Sequence, residues 1–276
     1  MTGTTVAAAA VRPPLRAYRA YARISARTVL TYRLNFALGL FGLLFQLLAL
    51  LSIWGVLLRA GNTVGGFSWP QMKAYLLIAY GTNAIASSFG DMRMGFRIRE
   101  GLVAIDLTKP VDFQRARFAE TSGVAVVELA TTAGICALVV GLAGPVSGPA
   151  PGQTGLFLLS LLPLLPLKFC TVYLAGLACF WTQNTFGVSL TRVAVTNLFS
   201  GALVPLALLP GWLQATAGVL PFASITATPA ALYLGTATGT EALRLLAVQL
   251  AWAVGLWFGC RLIWRVAVRK LTVHGG

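Results

Sequence analysis

Long apolar stretches alternate with short polar punctuation along the whole chain, and each stretch is about the length a helix needs to cross a bilayer, roughly 20 residues. The pattern predicts a first span over about Leu34 to Leu58, a second over about Met72 to Ser88, and a loop between them containing Gly61, Gly65, Gly66 and Pro70. A third is predicted over about Phe118 to Leu142, stopped by the Pro/Gly-rich turn Gly144 to Gly152. A fourth covers about Thr154 to Trp181, kinked at Pro163 and Pro166, and a short polar link, Thr182 to Arg192, leads to a fifth beginning near Val193. Pro210, Gly211, Trp212, Pro221 and Pro229 make the stretch Leu209 to Gly235 too broken for one straight helix, and a last span runs over about Leu243 to Trp264.

Ahead of the first span the period changes. From Pro14 to Tyr32, Arg12, Arg16, Arg19, Arg23 and Arg27 recur at spacings of 4, 3, 4 and 4, which keeps them within an arc of about 80° on a helix. Ala17, Tyr18, Tyr21 and Tyr32 fall on the other side. Such a helix is expected to lie in the membrane interface, arginines toward anionic headgroups; a solvated basic tail is the competing reading. The first 14 residues lack the basic-then-apolar order of a cleaved signal and are expected to be a disordered cytosolic leader.

The 276 residues are 57% hydrophobic and 10% charged, with a mean hydropathy of +0.79, against roughly 25% charged in a soluble domain. The expected organisation is all-α: leader 1–14, interfacial helix 15–33, a six-span transmembrane domain 34–270 and a cytoplasmic tail 271–276, with no soluble catalytic domain. The net charge of +14 does not point to a nucleic-acid partner, because the basic residues punctuate apolar stretches. They orient the chain instead. Seventeen of the 21 Lys and Arg fall on one side of the predicted spans, only Arg59, Lys73 and Arg244 on the other, and Lys168 within a span. Positively charged loops stay inside, so both termini are expected to be cytoplasmic, in the cell membrane, and the number of spans even.

Cys136, Cys170, Cys179 and Cys260 all lie in apolar runs without a C-x-x-C spacing and read as buried free thiols. His274 is the single histidine and sits near the C-terminus, which removes zinc-site and Ser-His readings. No G-x-x-x-x-G-K-[ST] occurs, so the chain is not expected to bind ATP through a P-loop.

The stretch Asp91 to Asp112 holds four of the seven acidic residues and four basic ones, interspersed with Phe96, Ile98, Leu102, Val103, Ile105 and Leu107. That mixture reads as a docking element rather than a solvated connector. Here Arg97-Ile-Arg-Glu-Gly101 followed by Leu107-Thr-Lys-Pro110 resembles the cytoplasmic loop of type-2 ATP-binding-cassette export permeases. Gly201-Ala-Leu-Val-Pro-Leu-Ala-Leu-Leu-Pro-Gly-Trp-Leu-Gln214, then Leu220-Pro-Phe222, Pro229 and Gly235, is similar to that family's segment between spans five and six. The likeness covers essentially the whole chain.

The resemblance implies that about Met94 to Leu107 form a coupling helix seated on a separate cytosolic ATPase subunit, with Arg97, Arg99, Glu100, Gly101, Asp106 and Pro110 as the coupling residues. Glu100 would cap or pair near the ATPase surface, unless it merely pairs with Arg97 or another nearby arginine as a surface ion pair. It also implies short re-entrant helices over Pro210 to Gly235 on the outer side, a second permease as homodimer or sister subunit, and no catalysis by this chain. ATP and magnesium belong to the partner ATPase. The implied activity is export of a hydrophobic or amphiphilic solute. Its path would be lined by the first, second and fifth spans, where Gln46, Asn83 and Asn197 are the candidates, with helix-to-helix hydrogen bonding as their alternative role.

Glu128 and Lys168 are the two ionisable residues predicted deep inside spans. Their depths on antiparallel helices differ by only about 4–5 Å at 1.5 Å per residue, so they are expected to form an ion pair, structural rather than functional. An ion- or proton-coupled carrier using Glu128 is the alternative function, and an intramembrane lipid enzyme a third; the second expects an internal repeat that the sequence does not show.

Overall fold

The computed structural model describes residues 15–58, 63–85, 90–144, 146–182 and 184–270. The expected leader 1–14 and tail 271–276, together with Arg59, lie outside the described residues. The described chain forms α1 (Leu15–Thr31), α2 (Arg33–Leu58), α3 (Trp69–Ala84), α4 (Gly90–Arg99), α5 (Leu102–Leu107), α6 (Phe113–Ala143), α7 (Thr154–Leu161), α8 (Leu164–Thr182), α9 (Thr185–Ser200), α10 (Gly211–Val219), α11 (Ala223–Leu234) and α12 (Gly239–Ala267). Phe36–Leu58, Phe113–Leu142, Thr154–Thr182 and Gly239–Lys270 are long and apolar enough to cross a membrane. The α10–α11 pair, bent by 104°, adds a fifth if counted as one span. The protein is therefore a multi-pass, all-helical membrane protein.

Local chemistry sets several boundaries. Helix α3 starts at a Gln71 side chain whose Oε1 accepts from the Ser68 amide at 3.0 Å and its hydroxyl at 2.9 Å, satisfying donors that a helix start leaves without partners. Asp112 Oδ1 accepts from the Arg115 amide at 2.8 Å and so opens α6 five residues before the expected third span. Between α7 and α8, Pro163 interrupts the fourth apolar stretch as expected. Pro166 is tolerated in the first turn of α8, where its missing N–H has no helical partner to lose.

Two expectations are corrected. The polar link over Thr182 to Arg192 is largely helix: Asn184 Oδ1 accepts from the Gly187 amide at 2.9 Å and starts α9 at Thr185. Thr185 and Ser189, which read as linker, are buried. The single coupling helix expected over about Met94 to Leu107 is two helices, α4 and α5, separated by Gly101 at φ +70°.

The bundle has two main cores. One joins Leu47, Leu51, Trp54 and Leu58 of α2 to Met72, Leu76 and Tyr80 of α3 and to Val139 of α6. The other gathers Met94, Val103, Phe113, Phe169, Tyr173, Leu177 and Cys260 from α4, α5, α6, α8 and α12, with Phe113 and Trp264 rings stacked 4.2 Å apart. Burial of this apolar surface is worth roughly 25 cal/mol per Å² where water is displaced; facing lipid, close packing takes over that role. The four cysteines are free thiols, three of them buried.

Helix α1 is docked lengthwise on α6. Tyr18 Oη accepts from the Asp112 amide at 3.3 Å, the Tyr21 ring covers the Arg117 guanidinium at 6.0 Å, and the Ala22 backbone occupies the space beside Gly123 that a Cβ would need. Arg16, Arg19, Arg23 and Arg27 point outward from this contact, on the face opposite the tyrosines, as the spacing predicts.

Candidate functional site

The charged segment between α3 and α6 organises around Asp106, whose side chain is 5% exposed. Its carboxylate receives Lys109 Nζ at 2.8 Å, an Arg97 guanidinium nitrogen at 3.1 Å and Arg117 at 3.7 Å. Arg117 turns its other terminal nitrogen to Glu120 at 2.8 Å. Burial alone would raise the Asp106 pKa; the Lys109 hydrogen bond and the charges of Arg117 and Arg97 outweigh it and hold the carboxyl below its ordinary range. One carboxylate thus ties α4, α5 and α6 together, with α1 covering it through Tyr21.

A second pair lies at the other end of α4. Asp91, 1% exposed, accepts from its neighbour's amide at Met92, 3.0 Å away, and from Arg192 Nε at 2.7 Å. An anion in the first helical turn suits the positive end of the helix dipole, and Arg192 extends the connection to α9. Along the same side, Gly95 lets Thr185 and Cys179 close onto α4; a Cβ there would collide with Thr185 and crowd the Cys179 sulfur.

Helix α3 ends at Ala84 and α4 begins at Gly90. The last carbonyls of α3 have no partner within the helix, and two of them are filled from outside: Lys168 Nζ donates to the Thr82 carbonyl at 2.9 Å and to that of Asn83. A cation at a helix C-terminus is favourable. Thr82 Oγ1 also shares a hydrogen bond of 3.0 Å with Thr226 Oγ1 of α11. The expected Glu128–Lys168 ion pair is not among the direct ion pairs of the described residues. Glu128, 7% exposed, lies close enough for its charge to act on Lys168, but the ammonium has taken the carbonyls of α3. The lysine satisfies broken backbone, a demand no residue count reveals.

The remaining candidates are placed as follows. Arg97 is held on Asp106; Arg99 is exposed over the Phe96 ring at 5.5 Å. Glu100 is exposed at the turn, its amide bonded to the Phe96 carbonyl at 2.9 Å, and it makes no ion pair among the described residues. Among the described residues nothing lies within 4 Å of where a Gly101 Cβ would sit, so its positive φ, not crowding, requires glycine. Pro110 is exposed in the loop before α6. Gln46, Asn83 and Asn197 are half-buried on α2, at the end of α3 and on α9; α2 and α9 do not pack substantially on each other.

Asp91, Arg192, Arg117 and Glu120 escaped the sequence reading. The charges were visible, but their partners lie up to 101 residues away.

A family model described as "ABC-2 family transporter protein" matches residues 27–275. No curated protein and no solved structure shows significant similarity to the chain.

Proposed function

Because the chain belongs to the ABC-2 transporter family, we propose that it is the permease subunit of an ATP-binding-cassette exporter, carrying a hydrophobic or amphiphilic solute while a separate cytosolic ATPase, holding ATP and magnesium, supplies the energy. In this reading the six spans are α2, α3, α6, the pair α7–α8, α9 and α12. The bent pair α10–α11 re-enters from the outer side, and both termini are cytoplasmic in the cell membrane.

One observation carries the proposal: the α4–α5 hairpin is fixed to α6 through Asp106 and to α9 through Asp91–Arg192. A partner pushing on the exposed turn at Arg99, Glu100 and Gly101 would move two membrane segments, α6 and α9, together rather than bend a loop. Motion of rigid elements about packed interfaces is how such displacements travel. The long apolar face of α2, with Leu34, Leu38, Phe41 and Phe45 exposed, suits lipid or a second permease.

The test is co-reconstitution with the ATPase in proteoliposomes. The expected result is solute-stimulated ATP hydrolysis that falls when Glu100 and Gly101 are replaced together; unchanged stimulation would count against the hairpin as the docking element. Buried Glu128 favours a second reading, an ion-coupled carrier. Transport driven by a proton gradient without any ATPase would select it.

A further inference from the structure

Beside the Asp106 cluster, a cleft of about 90 Å³ opens between α4, α6 and α8. Arg93, Arg97, Arg117, Glu120, Thr121 and Tyr173 line its polar part. Two atoms on these residues have no hydrogen-bond partner among the described residues: Nε of Arg117, a residue 8% exposed, and the hydroxyl of Tyr173, 4% exposed. Buried donors without acceptors are costly, so each such group calls for something that fills it. The charge around the cleft is also uneven. Arg93, Arg97 and Arg117 all act on Glu120, and Arg97, Arg117 and Lys109 on Asp106, so the side chains around the cleft are mostly basic.

We propose that this cleft binds a phosphate group, presented by an anionic lipid headgroup or as free phosphate. A phosphate offers several acceptor oxygens and negative charge to unfilled donors, and guanidinium groups match its geometry. The volume admits a headgroup phosphate but is well below the roughly 300–1,000 Å³ of drug-sized sites. Arg93 is exposed at the mouth and is the first group an incoming anion meets; Arg117 and the Tyr173 hydroxyl lie deeper. Glu120 opposes the anion but is itself held by Arg117. A phosphate here would bridge α4 to α6 and α8 and brace the hairpin whether or not the export reading holds.

The experiment uses the full chain in detergent micelles, titrated with phosphatidylglycerol or phosphatidylcholine and read by native mass spectrometry, with inorganic phosphate in a parallel thermal-unfolding series. The expected result is a preference for phosphatidylglycerol that drops about tenfold in Arg93→Gln and in the conservative Tyr173→Phe. The preference should survive in Arg19→Gln/Arg23→Gln on the outward face of α1. Stabilisation by inorganic phosphate, lost in the same two variants, would identify the free anion as sufficient; its absence beside lipid selectivity would identify the headgroup. No preference in the parent, or a preference unchanged in both Arg93→Gln and Tyr173→Phe, would mean that water fills the cleft and would overturn the proposal.

Discussion

Asp106 and Lys168 each resolve a polar problem that their surroundings create. Replacing Asp106 by Asn leaves Arg117 buried with Glu120 alone and releases Arg97 and Lys109, and should cost about 1–3 kcal/mol at neutral pH, measured as a lower unfolding temperature of the purified chain. The pH sign follows from the lowered pKa of Asp106. Its contribution is complete above the unfolded carboxylate value, about 3.9, and is lost as pH falls through the still lower folded value. The gap between parent and Asp106→Asn should therefore be constant from pH 5 to 8 and close only in strong acid; a gap that closes near pH 6 would contradict this. Lys168→Ala strips the cation from two α3 carbonyls and should reduce folded yield while leaving the ranking of transported solutes unchanged. Normal yield with altered solute choice would make Lys168 a path residue instead. Both residues drew notice as charges in the sequence, yet only Lys168 drew it for its depth, and its partner is backbone. Sequence shows that a charge needs satisfying, not which of several groups satisfies it.

At the scale of elements, hydropathy placed the long helices well because their apolar runs exceed anything a loop tolerates: α2 and α12 match the predicted spans within a few residues at most ends. It failed where polar residues are buried, as in the start of α9, and where one expected helix is two, as in α4–α5. Gly101 supplies the turn between α4 and α5, and Gly101→Ala should destabilise by about 1 kcal/mol through its left-handed backbone alone, with Gly101→Asn milder. Equal effects of the two would point to a steric cause. The link between α4 and α9 is tested by a double-mutant cycle. Asp91→Asn or Arg192→Gln alone leaves a largely buried group without its partner and should cost about 3–5 kcal/mol, whereas the double variant should cost less than the sum of the two. Additive losses would remove the Asp91–Arg192 latch from the account.

Across the whole molecule, hairpin, latch and capped helix end form a chain of rigid connections from an exposed turn to the centre of the bundle. Under the proposed function, these connections would pass a push on that turn to the packed helices. The long helices were legible in their apolar runs; the connections were not, because nothing in the pattern shows which charges meet, whether three residues apart as Lys109 and Asp106 or 101 apart as Arg192 and Asp91. The most direct measurement is ATP hydrolysis and solute export in proteoliposomes containing the permease and its ATPase, with Asp91→Asn/Arg192→Gln beside the parent. The account predicts that the double variant binds the ATPase normally yet loses most solute export per ATP consumed. Full export by that variant, or sustained uphill export by the permease with no ATPase present, would contradict it.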